Sequence, residues 1–169
     1  MKHVKGDIFE SGADAILHQV NCQGVMGSGI AKQVREKFPS VFACYKSLCD
    51  YDKHVKDDRG LRLSTLLGRA QIVPKTDYLC GEKEGAENQQ FIVNLFAQDE
   101  YGYDGKCYTD YDALRSCLEQ VNQRFSGKTV AIPYLMACHR GGGDWSIVSA
   151  MIEETLVDCD VTLYEYNGG

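Results

Sequence analysis

Basic residues are in short supply in this chain: eighteen Lys and Arg stand against twenty-four Asp and Glu, a formal charge of −6 over 169 residues. A surface with that balance repels phosphate backbones and anionic lipids, which argues against non-specific nucleic-acid binding and against a membrane partner. No stretch approaches the roughly 18 consecutive apolar residues of a membrane span, and the opening Met1 to Glu10 has no apolar signal-peptide segment, so the expected location is cytoplasmic. Only three prolines and one tryptophan occur, with no repeat and no low-complexity tract, and residues 1–169 read as a single domain, expected to be a monomer. The eight cysteines include no CxxC pair. Scattered through a chain long enough to bury its own core, they are expected to be reduced thiols. Cys44, Cys49 and His54 lie near one another but lack a fourth ligand, so no metal site is expected.

Several nucleotide-site motifs are also missing. There is no GxGxxG with an acidic residue at a following strand end, and no GxxxxGK[ST]. No cysteine opens an arginine-closed loop of the thiol-phosphatase kind, and Cys138 and His139, adjacent on an extended chain, point apart.

What is present is an alternation of strand and helix patterns. Strands are expected at 3–5, 15–20, 70–73, 91–96, 129–132 and 161–166, and helices at 30–37, 41–49, from Thr109 as N-cap onward, and 146–157. A polar connection fills 50–62 and a polar loop 75–90. This order implies an α/β layered fold with a largely parallel sheet, whose ligands sit at the carboxyl ends of strands. Two glycine-rich turns fall there: Gly24 to Gly29 before the first helix, and Ala137 to Trp145 before the last. Glycine permits positive φ and close backbone approach, so the amides of such turns can converge on an anion under the following helix dipole. Two such turns on one sheet edge favour a phosphate-bearing ligand over simple tight turns.

Lys5-Gly-Asp-Ile8, Val20-Asn-Cys-Gln-Gly-Val-Met-Gly-Ser-Gly-Ile-Ala31 and Ala131-Ile-Pro133 leading to Gly141-Gly-Gly-Asp-Trp145 together resemble a macro domain, in order and spacing from Lys5 to Tyr166. Within that family the chain is similar to the branch of terminal ADP-ribose protein glycohydrolases, ADP-ribose-1''-phosphate phosphatases and DNA ADP-ribosyl glycohydrolase antitoxins. The resemblance implies a three-layer α/β/α sandwich with a mixed, largely parallel sheet that binds ADP-ribose or a derivative, an ADP-ribosylated protein among its sources, without cofactor or metal.

Carried over by residue, the resemblance implies that Asp7 accepts a hydrogen bond from the adenine amino group beside the Ile8 backbone, and that Asn21 lies near the distal ribose. Gly27, Ser28, Gly29 and Ile30 match the first ligand loop, and Gly141, Gly142 and Gly143 the diphosphate loop. Tyr166 falls where the family packs a side chain on adenine, and Met26 is either a ligand contact or a gap filler. The lysine nucleophile of the covalent branch aligns with Gln98, whose amide cannot attack, so removal of DNA-linked ADP-ribose is disfavoured. Met136, His139 and Arg140 replace small residues of the second loop, with Arg140 either contacting phosphate or narrowing the pocket. His18 and Asp144 are the expected catalytic pair, weighed against a core histidine and a helix cap. The tyrosines at 101, 103, 108 and 111 read as a packed loop. The expected activity is hydrolysis at the distal ribose, the 1''-phosphate foremost. The alternatives are a non-catalytic reader and a hydrolase of ADP-ribosyl-glutamate or O-acyl esters.

Overall fold

The computed structural model describes residues 1–75 and 89–166. Most of the expected 75–90 loop, Cys80 and the last three residues therefore lie outside the described residues. The chain runs β1 (Lys2–Lys5), β2 (Ala15–Asn21), α1 (Gly29–Lys37), α2 (Pro39–Asp52), β3 (Ala70–Pro74), β4 (Phe91–Gln98), α3 (Tyr111–Arg124), β5 (Thr129–Pro133), α4 (Trp145–Thr155) and β6 (Asp160–Glu165).

One six-stranded sheet has the order β1-β6-β5-β2-β4-β3, with every pairing parallel except β3 with β4. Alternation along the central strands supplies both faces of it. Ala15 and Leu17 of β2, with Val93 and Leu95 of β4, pack under Leu114, Val121, Val148 and Ile152 of α3 and α4. Ile16, Val20, Ile92 and Phe96 point the other way, toward Val34, Val41 and Tyr45 of α1 and α2. The result is the expected three-layer sandwich, with the antiparallel edge strand making the sheet mixed.

Two boundaries differ from the sequence reading for identifiable reasons. Pro39 both ends α1 and occupies the first turn of α2, where its missing N–H costs nothing, so α2 starts earlier and runs on to Asp52. The N-cap of α3 is Asp110, whose carboxylate accepts from the Ala113 amide. Thr109 is instead buried and turned toward the loop after β5, where its hydroxyl donates to the Ala137 carbonyl at 3.0 Å.

A polar ladder crosses the sheet on the α1/α2 side. His18, Asn94 and Gln71 occupy matched positions on β2, β4 and β3. The Asn94 amide nitrogen donates to Gln71 Oε1 at 2.9 Å, which leaves its Oδ1 to accept from His18 Nε2 at 2.6 Å. His18 therefore carries its proton on Nε2, and Nδ1 is buried without a partner among the described residues. Burial drives the His18 pKa down to about 4, opposed only by the bond to Asn94, so the ring is neutral when folded.

This makes a pH prediction. The unfolded imidazole binds a proton near pH 6.5 and the folded one near 4. Stability is thus complete above pH 6.5 and lost as pH falls between the two values. Between pH 7.5 and 5 the loss should be about 2 kcal/mol, measured by urea unfolding. His18→Gln should flatten that slope, and an unchanged slope would show that His18 does not titrate as its burial requires.

Candidate functional site

Four parallel strands, β6, β5, β2 and β4, deliver their carboxyl ends to one edge of the sheet beside the end of β1. A cavity of about 490 Å³ lies there, of a size that holds a small-molecule ligand. It spans from Gly6 and Asp7 after β1 to Gln98 and Tyr101 after β4, four strand spacings apart in the sheet, or about 19 Å. A slot of that shape suits an elongated ligand with chemically different ends.

At the β1 end stand Asp7, Ile8, Glu165 and Tyr166. Asp7 Oδ1 accepts from the Phe9 amide and so caps the short 3-10 turn Ile8–Glu10, while Oδ2 sits 3.9 Å from Lys37 Nζ. Tyr166 is 64% exposed, a ring presented at the rim and not a core residue.

The middle of the slot is lined by two stretches of backbone. Ser28 is the N-cap of α1 by backbone conformation, but its side chain makes no capping bond, and Gly29 takes φ +54°. Among the described residues the amides from Gly27 to Ala31 donate to no protein acceptor, and the first helical bond reaches back from Lys32 to Ser28. They are orphan donors at a positive helix end. Across from them runs the loop after β5, where Leu135 and Ala137 hold left-handed φ of 59° and 70°. Such non-glycine conformations cost free energy and persist only where the surroundings enforce them. Here the Gly143 amide is tied to the Ala137 carbonyl, and Thr109 Oγ1 to the Ala137 and Gly141 carbonyls. The amides of Leu135, Ala137, His139 and Arg140 again find no described acceptor.

Asn21 lies between these stretches and is only 7% exposed. Its Oδ1 accepts from the Gln23 amide and the Tyr45 hydroxyl, and Nδ2 donates to the Val25 carbonyl. The side chain thus shapes the first loop while keeping one Nδ2 hydrogen for a ligand. At the β4 end, Gln19 Nε2 donates to Gln98 Oε1 at 2.8 Å and to Thr109 Oγ1 at 2.9 Å. Gln98 Nε2 donates in turn to the Glu100 carbonyl, so the residue aligned with the family lysine is an amide held in a floor network.

The sequence-predicted residues divide. Asp7, Ile8, Asn21, Gly27, Ser28, Gly29, Ile30, Arg140, Gly141 and Tyr166 line the cavity together. Met26 is 1% exposed and fills the core beneath the first loop. Gly142 and Gly143 lie behind the wall, where their lack of a side chain serves packing: a Cβ on Gly142 would meet the Lys106 carbonyl at 2.5 Å.

His18 and Asp144 are also absent from the wall. His18 faces the α1/α2 layer inside the ladder described above, and Asp144 is the N-cap of α4, its Oδ1 accepting from the Ser146 amide and hydroxyl at 2.8 and 2.6 Å. Those Ser146 bonds hold the Asp144 carboxyl below the usual range. The imidazole on the wall belongs to His139, exposed beside Arg140.

Sequence reasoning missed Gln19, Thr109 and the two rim tyrosines. Tyr101 and Tyr103 are 43% and 69% exposed at the cavity mouth instead of packed. The seven described cysteines are free. Burial pushes the thiols of Cys22 and Cys117 up to about 12 and that of Cys49 to about 11, which leaves them protonated and unreactive.

A mixed α/β/α sandwich with a two-loop slot at its strand ends defines the class of the molecule. No family model matches the chain. It is 30% identical over 140 residues to an ADP-ribose 1''-phosphate phosphatase of Scheffersomyces stipitis, an alignment covering 78% of this chain and 75% of the relative. A DNA ADP-ribosyl glycohydrolase of Mycobacterium tuberculosis is 28% identical over 170 residues, 97% of this chain but 42% of that protein. The macrodomain of Mycobacterium tuberculosis DarG has the same fold, with a TM-score of 0.68, 24% identity, and coverage of 96% of this chain and 95% of the other. The chain belongs to the macrodomain family. It spans about half the length of the first curated relatives it matches.

Gly141 is the position where backbone and site are most tightly coupled. A Cβ there would collide with the Ala137 carbonyl, Thr109 Oγ1 and Gln19 Nε2. Gly141→Ala should cost about 1–3 kcal/mol by overpacking, with thermal unfolding as the check. Asp144→Ala should fray the start of α4 without changing ligand affinity. An equal affinity loss from Asp144→Ala would place its carboxylate in the site after all.

Proposed function

We propose that this chain binds ADP-ribose along the slot and hydrolyses a group carried on the distal ribose, the 1''-phosphate foremost. The observation that carries the reading is the pair of backbone stretches, Gly27–Ala31 and 135–140, that line the middle of a slot about 19 Å long and hold amides with no acceptor among the described residues. Amides in that arrangement suit a diphosphate, and placing it there assigns the ends. The base goes to Asp7, Ile8 and Tyr166, and the distal ribose goes past Asn21 toward β4.

Hydrolysis then requires water to attack phosphorus, the bond from phosphorus to the ribose oxygen to break, and that oxygen to take up a proton. His139 is the group on the wall suited to exchanging the proton, since its exposed imidazole offers both a donor and an acceptor nitrogen. Loop amides near the reacting centre stabilise charge as it develops on the phosphoryl oxygens. Gln98 makes a covalent glycosyl intermediate unavailable at that position, which supports attack by water. His18, enclosed in its ladder, supports the sheet.

A phosphorus NMR time course with ADP-ribose 1''-phosphate tests the reading. Inorganic phosphate should appear, and His139→Ala should slow its release about 100-fold while leaving ligand binding in place. Binding without any release, at protein equimolar with ligand, would make the chain a reader. Release at an equal rate in His139→Ala would remove His139 from the mechanism.

A further inference from the structure

We infer that Arg140 is a specificity-determining residue, which selects ligands bearing an anionic group at the distal end over those ending in a neutral hydroxyl. The inference rests on the ADP-ribose reading and deepens it. It begins with the charges on the cavity wall. Asp7 and Glu165 stand at the β1 end and each has a basic neighbour, Lys37 at 3.9 Å and His3 at 3.4 Å. Arg140 is the one permanently cationic side chain on the wall, and among the described residues no carboxylate lies within ion-pair distance of it. The slot is therefore polarised, acidic where the base would lie and cationic toward the other end.

What holds Arg140 is an aromatic face. Its guanidinium carbon sits 4.6 Å from the centroid of the Tyr103 ring, so the loop after β5 meets the segment after β4 across the cavity mouth. Stacking of this kind orients a guanidinium without neutralising it, and leaves the N–H groups at its edge free to bind an oxyanion in bidentate fashion. A carboxylate partner would have satisfied the charge internally. The ring leaves it available to a ligand.

The diphosphate is an unsuitable target for this cation. The orphan amides of α1 and of the opposed loop already serve the middle of the slot, whereas Tyr103 brings Arg140 to the side reached from β4. An anion in reach of that guanidinium is one attached beyond the diphosphate. A phosphate monoester carries more than one negative charge near neutral pH, and a ribose hydroxyl carries none.

Calorimetric affinities of the whole protein for ADP-ribose and for ADP-ribose 1''-phosphate, taken on variants slow in turnover, test the assignment. The phosphorylated ligand should bind about tenfold more tightly, as one partly solvated charge-assisted pair implies. Arg140→Gln should abolish that preference while weakening ADP-ribose less than threefold. Tyr103→Leu should lose part of the preference and Tyr103→Phe keep it, and Tyr103→Leu should have no further effect in an Arg140→Gln background. That last result separates positioning through Arg140 from a direct ligand contact. Higher salt should narrow the preference. Equal binding of both ligands by the unaltered protein would overturn the inference alone. So would an Arg140→Gln loss of the same size for both ligands, which would assign Arg140 to the diphosphate. Failure to bind even ADP-ribose would overturn the underlying reading, and this one with it.

Discussion

The site depends on a contact with no room in it. Gly141 is packed against the Thr109 hydroxyl, the Gln19 amide and the Ala137 carbonyl so closely that no Cβ fits. Those three groups come from the start of α3, from β2 and from the loop after β5, so the contact joins three segments that are far apart in sequence. It also explains how Leu135 and Ala137 are kept in left-handed backbone, since Thr109 and Gly143 hold the Ala137 carbonyl from either side. With that loop fixed, its free amides stand opposite the start of α1, and the slot between them takes its width.

The two faces of the sheet divide the remaining labour. On the α1/α2 side the polar residues of the central strands satisfy one another in the His18–Asn94–Gln71 ladder, sealed from the cavity. At the carboxyl ends of β2 and β4, Gln19 and Gln98 reach the cavity and form its floor. Strand alternation separates His18 from Gln19 on β2, whereas Gln98 reaches the floor past the register shift between Val20 and Asn21. The electrostatics run along the slot: carboxylates with basic neighbours at one end, orphan amides in the middle, and an unneutralised guanidinium at the other.

Much of this was legible in the sequence, for reasons particular residues make plain. Strand and helix order followed from hydrophobic periodicity, and the ligand edge followed from glycines placed between strand and helix. Gly29 has the positive φ that such placement implies. The roles of His18 and Asp144 were not legible. A histidine three residues before a ligand asparagine sits near it along the chain, but its ring is taken up by the cross-strand ladder, and the Asn94 partner is 76 residues away. Asp144 offered both a cap and a carboxylate, and the structure shows the cap, with Oδ1 bonded to Ser146. Gln19 and Thr109 gave no sequence signal, because their importance lies in a contact with a glycine more than thirty residues beyond either. Tyr103 reads as one tyrosine among several until the fold brings Arg140 onto its face.

The central claim is that two facing stretches of backbone amides form one anion-binding slot. Titration of the isotopically labelled protein with ADP-ribose, followed through its amide proton and nitrogen resonances, tests that claim most directly. The account predicts saturable shifts at Gly27 to Ala31 and at Leu135 to Gly141 with a single affinity, accompanied by Ile8 at the far end, and little change at Ile152 in the core beneath α4. Shifts confined to one of the two stretches, or centred on residues remote from both, would contradict it.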